Sequence, residues 1–84
     1  MKLKLLTPQV QVFEGDVDAV TLPGEEGEFQ VLPGHTYLLS LLKAGEMQYE
    51  SQGTTTRLTV GEGHAEVYED IVTVAVDSAE ASSA

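Results

Sequence analysis

The sequence predicts an all-β fold: a small antiparallel β-sandwich or barrel of about ten short strands in two sheets. Three observations predict it. Apolar residues recur with a period of two along most of the chain, the signature of strands with one face buried. Turn-forming residues interrupt these runs at short intervals. No segment carries a long apolar stripe at helical spacing. The 84 residues make one domain.

The elements follow in order. Leu3 and Leu5 alternate with lysines in "KLKLL", and Val10 and Val12 with glutamines in "QVQVF". The parity shifts near Ala19 in "DVDAVTL", which predicts a bulge or a crossing between sheets. Phe29 and Val31 alternate in "EFQVL", Met47 and Tyr49 in "EMQYE", Leu58 and Val60 in "RLTVG", and Ala65 and Val67 in "HAEVY". Val72, Val74 and Val76 close the series and are expected to be buried.

Breakers separate these runs at Pro8, Glu14-Gly15, Pro23-Gly24, Pro33-Gly34, Ala44-Gly45, Gln52-Gly53 and Gly61 to Gly63, and Glu69-Asp70 makes a tight reversal. The two Leu-Pro-Gly triplets at Leu22 and Leu32 read as similar turns, because Pro presets one dihedral and Gly accepts the positive one of a type II turn. "TYLLSLLKAG", Thr36 to Gly45, fits either a buried strand with a short bridge or one helical turn. Residues 1–77 form the domain. Asp77 and Glu80 make a weak capping box, so 78–84 is expected to be a short tail that frays or the start of a helix.

Composition narrows the chemistry. Fourteen acids against four bases give a formal charge of −10. Lys2, Lys4, Lys43 and Arg57 are scattered, so nothing forms a stripe to neutralise phosphates, and nucleic acid is a poor partner. The acidity favours solubility, with steering toward a basic partner as the other reading. The N-terminus is too short and polar for a signal peptide, and the domain reads as soluble and unexported. With no cysteine, disulfides and thiolate ligands are excluded.

Catalytic readings find little support. His35 and His64 are the only histidines and form no ligand pair at metal-binding spacing. No serine sits in a nucleophile-elbow motif. Glu25, Glu26 and Glu28 cluster on a glycine-bearing loop, where a solvated tip is favoured over general acid–base work. A lipoyl or biotinyl carrier would need its modified lysine at a hairpin tip in a Met-Lys-Met or Asp-Lys context, and Lys43 in "LLKAG" does not supply it. What remains is a binding surface. Tyr37, Leu38, Leu39, Leu41 and Leu42 are too many apolar residues for one strand face, so some are expected in the core and others facing a partner. His35 reads either as a turn residue satisfied by backbone or as the rim of that patch.

These stretches together resemble one family. "VTLPGEEGEFQVLPGHTYLLSLLKAGEM" is similar to the epsilon subunits of F-type ATP synthases, which carry a Glu-Gly-Glu tip, a strand, then Pro-Gly-His, a Leu-Leu pair and a Lys-x-Gly turn. "LLTPQVQVFEGDVDAV", "LTVGEGHAEV" and "VTVAVDSAE" match further segments, so the resemblance runs from about Leu3 to Glu80. Thr36-Tyr37 stands where the family usually has Ala-Pro, and His64 where it has a bulky apolar residue.

The resemblance implies a non-catalytic subunit without cofactor or metal, at the foot of the rotating central stalk. It implies two partners, the gamma subunit and the polar loops of the membrane c-ring, and a peripheral location on the cytoplasmic face of the bacterial inner membrane. Glu25, Glu26, Gly27 and Glu28 would meet the ring. His35, Thr36, Tyr37, Leu38, Leu39, Ser40 and Leu41, with Thr7, would meet gamma. Full-length members add a two-helix C-terminal domain, to which inhibition of hydrolysis and ATP binding belong. An unrelated β-sandwich adaptor and the carrier domain are the alternatives.

Overall fold

The computed structural model describes residues 1–82. Ten strands follow one another: β1 (Lys2–Leu6), β2 (Gln11–Asp16), β3 (Ala19–Gly24), β4 (Gly27–Val31), β5 (Leu38–Leu42), β6 (Gly45–Ser51), β7 (Thr54–Val60), β8 (Gly63–Tyr68), β9 (Ile71–Val76) and β10 (Ala79–Ala81). Hydrogen-bonded neighbours run in the order β10-β7-β6-β3-β5-β8-β9-β1-β2, with β4 paired on β3. All pairs are antiparallel except β1 with β9.

The core follows from the period of two. Leu3 and Leu5 of β1 lie in register with Val72 and Val74 of β9, which lie in register with Val67 and Ala65 of β8. All six are fully buried or within 1% of it. Val20 and Leu22 of β3, Val31 of β4, Met47 of β6 and Val60 of β7 complete the cluster from the far side. Each such Leu or Val side chain contributes roughly 1.5–3 kcal/mol on burial. Val72, Val74 and Val76 are buried as expected.

Two hairpins close on two residues with positive φ: Gln52-Gly53 between β6 and β7, and Glu69-Asp70 between β8 and β9. Such paired values match the right-handed twist of the flanking strands. The crossing foreseen near Ala19 falls at Val17-Asp18, where the Val17 amide donates to the Met1 carbonyl and the Asp18 amide to the Glu50 carbonyl. The chain there leaves the neighbourhood of β1 and joins β6.

Three local expectations change, and one open alternative is decided. Val10 and Val12 are exposed, at 59% and 36%, and Phe13 turns toward the core instead. Local alternation fixes a period but not which parity meets the core. The first Leu-Pro-Gly triplet is not a turn but part of β3, and the reversal falls on Glu25-Glu26. Pro23 is tolerated there because β6 pairs only with Ala19–Thr21 and asks no amide of it. Thr36–Gly45 contains the strand β5 and no helical turn. The Asp77–Glu80 pattern starts no helix: Ala79–Ala81 adds β10 to the edge of β7. Residues 83 and 84 of the expected 78–84 tail lie outside the described residues.

Candidate functional site

The acidic turn and the exposed face of β5 form one site. The pairing of Gly24 with Leu42 brings the end of β3 against the end of β5. Two backbone bonds lock the junction: the Glu25 amide donates to the Leu41 carbonyl at 3.0 Å, and the Lys43 amide to the Pro23 carbonyl at 2.9 Å. Between them opens a groove of about 480 Å³ lined by Glu25, Glu26, Gly27, Glu28 and Phe29 on one side and Leu39, Ser40 and Leu41 on the other. Gly27 has φ +133, a backbone conformation that side-chain-bearing residues rarely adopt.

The groove is amphipathic. Glu25, Glu26 and Glu28 are exposed, and among the described residues none has an ion-pair partner. Leu39 and Leu41 are 61% and 62% exposed. Strand alternation turns Leu38 and Ser40 partly inward, while Leu42 is buried. The apolar run of β5 is therefore divided between core and surface, as the residue count requires.

The segment before β5 is exposed from Leu32 to Tyr37. The second Pro-Gly is the expected turn: the His35 amide donates to the Leu32 carbonyl at 3.2 Å, and Gly34 sits at φ +85. This is the position where a type II turn demands glycine. His35 Nδ1 lies 2.7 Å from the Thr36 carbonyl oxygen. With the proton on Nδ1 the ring donates to that oxygen, so one nitrogen is satisfied by backbone and Nε2 remains on the exposed side. Thr36 is exposed, and Tyr37 is 60% exposed.

Thr7 stands apart. Its hydroxyl and the Val10 amide and carbonyl close a local turn. It lines a second concavity with Leu6, Pro8, His64 and Asp77. β8 and β9 separate it from β5.

Sequence reasoning passed over the β8–β9 hairpin. The Tyr37 hydroxyl donates to Glu66 Oε2 at 3.4 Å, the Tyr37 and Tyr68 rings meet edge to face at 6.2 Å, and the Gly34 amide donates to Asp70 Oδ1 at 3.1 Å. That amide holds the Asp70 carboxyl below its ordinary value, with a smaller contribution from the Met1 ammonium 3.5 Å away. The outward parity of Glu66 and Tyr68 was readable; that β8 would neighbour β5 was not.

Lys43 lies between β5 and β6, which are separated in the sheet by β3, so it is not on a hairpin tip of the kind a carrier lysine needs. Among the described residues no three His, Cys, Asp or Glu gather where they could hold a metal ion. Among the described residues no helix is long and apolar enough to cross a membrane.

Comparison with known proteins bears on the whole chain. The profile of the family described as ATP synthase, Delta/Epsilon chain, beta-sandwich domain matches residues 1–82. The chain belongs to this family. An ATP synthase epsilon chain of Wolinella succinogenes is 51% identical over 80 residues, covering 94% of this chain and 61% of that relative. One from Aliarcobacter butzleri is 44% identical over all of this chain and 67% of its own length. This delta/epsilon-type chain thus spans roughly three-fifths to two-thirds of these relatives.

A chain in the structure of the Euglena gracilis mitochondrial ATP synthase, OSCP/F1/c-ring, superposes with a TM-score of 0.89 at 27% identity, covering 94% of this chain and 51% of that one. A chain of the Tetrahymena thermophila mitochondrial ATP synthase central stalk and c-ring shares the fold, with a TM-score of 0.83 at 14% identity.

Proposed function

We propose that this chain is the β-sandwich part of a non-catalytic central-stalk subunit of an F-type ATP synthase. It binds the gamma subunit and the polar loops of the c-ring, and helps them turn as one body so that ion flow drives ATP synthesis. It sits peripherally on the cytoplasmic face of the bacterial inner membrane. The single observation that carries the reading is the junction between the acidic turn and β5. A carboxylate-rich tip suited to amide and basic groups and an exposed leucine face suited to a protein partner are joined by backbone hydrogen bonds. Load arriving at Glu25–Glu28 reaches Leu39 and Leu41 through strand pairing rather than through a slack loop. The family and the names of its relatives supply the assembly in which such a link is useful.

The reading assigns Glu25, Glu26, Gly27 and Glu28 to the ring, and His35 to Leu41 to gamma. Thr7, in its separate concavity, belongs to a gamma contact only if gamma also reaches across β8 and β9. The test is Glu28→Lys. Reversing one charge at a polar rim disturbs that contact alone, so association with the ring weakens while binding to isolated gamma holds. Equal losses in both would overturn the assignment of the turn.

A further inference from the structure

The stretch from Leu32 to Tyr37 belongs to no strand, yet it carries His35, Thr36 and Tyr37 of the surface assigned above to gamma. Among the described residues one backbone bond closes it internally, from the His35 amide to the Leu32 carbonyl. Apart from the local contact of His35 Nδ1 with the Thr36 carbonyl, its polar ties run to the β8–β9 hairpin: the Tyr37 hydroxyl to Glu66, and the Gly34 amide to Asp70 Oδ1, bridging 36 positions of sequence.

Asp70 is anchored for this task. Its own carbonyl accepts the Lys2 amide at 3.0 Å, which fixes the hairpin tip to β1. It holds φ +65 as the second residue of the turn, where glycine is the least strained choice. Glycine would close the same hairpin with less strain. What the aspartate adds is its side chain, one oxygen of which accepts the Gly34 amide while the other lies 3.5 Å from the Met1 ammonium. A carboxylate accepting a backbone amide is a charge-assisted bond, stronger than a neutral one. Tyr68 and Glu66, on the same strand, meet Tyr37 three residues further along.

We infer that Asp70 is a positioning residue for partner docking: its carboxylate holds the Leu32–His35 turn, and with it the exposed His35–Tyr37 surface, in the orientation that a partner chain meets. The inference rests on the proposed gamma contact. It differs from that contact in naming a residue that need not touch gamma.

Two variants separate the side chain from the backbone. Asp70→Gly keeps the turn and removes the acceptor; Asp70→Asn keeps an Oδ1 acceptor and tolerates the positive φ. Amide hydrogen exchange at Gly34 and at Val74 is read for each, together with the affinity for isolated gamma subunit. In Asp70→Gly, exchange at Gly34 rises and gamma affinity falls by roughly three- to tenfold, the range expected for one hydrogen bond whose acceptor is exposed to solvent. Val74 exchange stays unchanged, which shows the core intact. Asp70→Asn stays within about twofold of the parent in both measurements.

Unchanged Gly34 exchange in Asp70→Gly overturns the inference. So does faster exchange with unaltered gamma affinity, or an Asp70→Asn loss as large as that of Asp70→Gly. If the parent chain does not bind gamma, the proposed function fails and the docking role falls with it, whereas the exchange rates still decide whether Asp70 holds the turn.

Discussion

Phe13 of β2 and Tyr49 of β6 stack with ring centroids 4.5 Å apart and planes 30° from parallel. The two strands lie far apart in the order of pairing, so this contact ties one end of the folded sheet to a strand near the other. It also sets the parity of β2. With Phe13 inward, Val12 must face out. Phe13→Ala is expected to cost about 2–3 kcal/mol, less than a fully buried aromatic because Phe13 is only partly buried. Val12→Ala is expected to cost less than about 0.5 kcal/mol. Urea unfolding of the two variants distinguishes them by midpoint.

Gly63 and Gly53 should respond differently to alanine. A Cβ at Gly63 would overlap the Ala75 carbonyl oxygen and stand 2.7 Å from Val76 Cα, both backbone atoms of the paired strand. At Gly53 a Cβ meets nothing, and only φ +80 opposes it. Gly53→Ala is expected to lose about 1–2 kcal/mol from left-handed strain. Gly63→Ala must push β8 from β9 and loses more, about 3 kcal/mol or above. Thermal unfolding orders the two variants, and the reverse order would show the β8–β9 pairing to be looser than described.

The titration of Asp70 gives stability a pH dependence. Its folded carboxyl lies below the ordinary value of 3.8, chiefly because of the Gly34 amide, with burial opposing and the Met1 ammonium assisting. A depressed carboxyl stabilises the fold fully above its unfolded value and ceases to do so as pH falls through the folded one. The stability advantage of the parent over Asp70→Asn is therefore expected to be constant near neutrality and to shrink below about pH 4. Unfolding midpoints measured at a series of pH values read this directly. An advantage that grows on acidification would contradict the assignment.

Alternation made β1 and β6 to β9 legible, because one face of each is buried and the side-chain period of a strand is two. It misplaced Val10 and Val12, since the partner that fixes parity, Tyr49, is remote in sequence. Pro23-Gly24 and Pro33-Gly34 look alike as words. Pairing with β4 makes the first part of a strand, while the second closes a turn through the bond from the His35 amide to the Leu32 carbonyl. The acidic turn and the leucine run were each visible, but their union depends on Gly24 meeting Leu42, a register no local pattern encodes. Asp70 was read as half of a tight reversal, and nothing nearby pointed to Gly34.

The 84-residue chain is expected to take up no nucleotide. Its formal charge of −10 opposes a triphosphate. Arg57, its single arginine, lies exposed on β7 with Nε donating to Gln48 Oε1 at 3.2 Å. Titration with Mg-ATP is expected to show no saturable heat at a Kd below about 1 mM. Saturable binding in the micromolar range would reveal a regulatory site on the sandwich itself.

The most direct test of the account is capture of the partners by this chain. Immobilised chain is incubated with purified gamma subunit, with isolated c-ring, and with both. The account predicts that gamma is retained alone, that the ring is retained more strongly when gamma is present, and that Leu39→Glu with Leu41→Glu removes gamma while leaving the fold intact by circular dichroism. Failure to retain gamma under any of these conditions, or retention unaffected by the two glutamates, would contradict it.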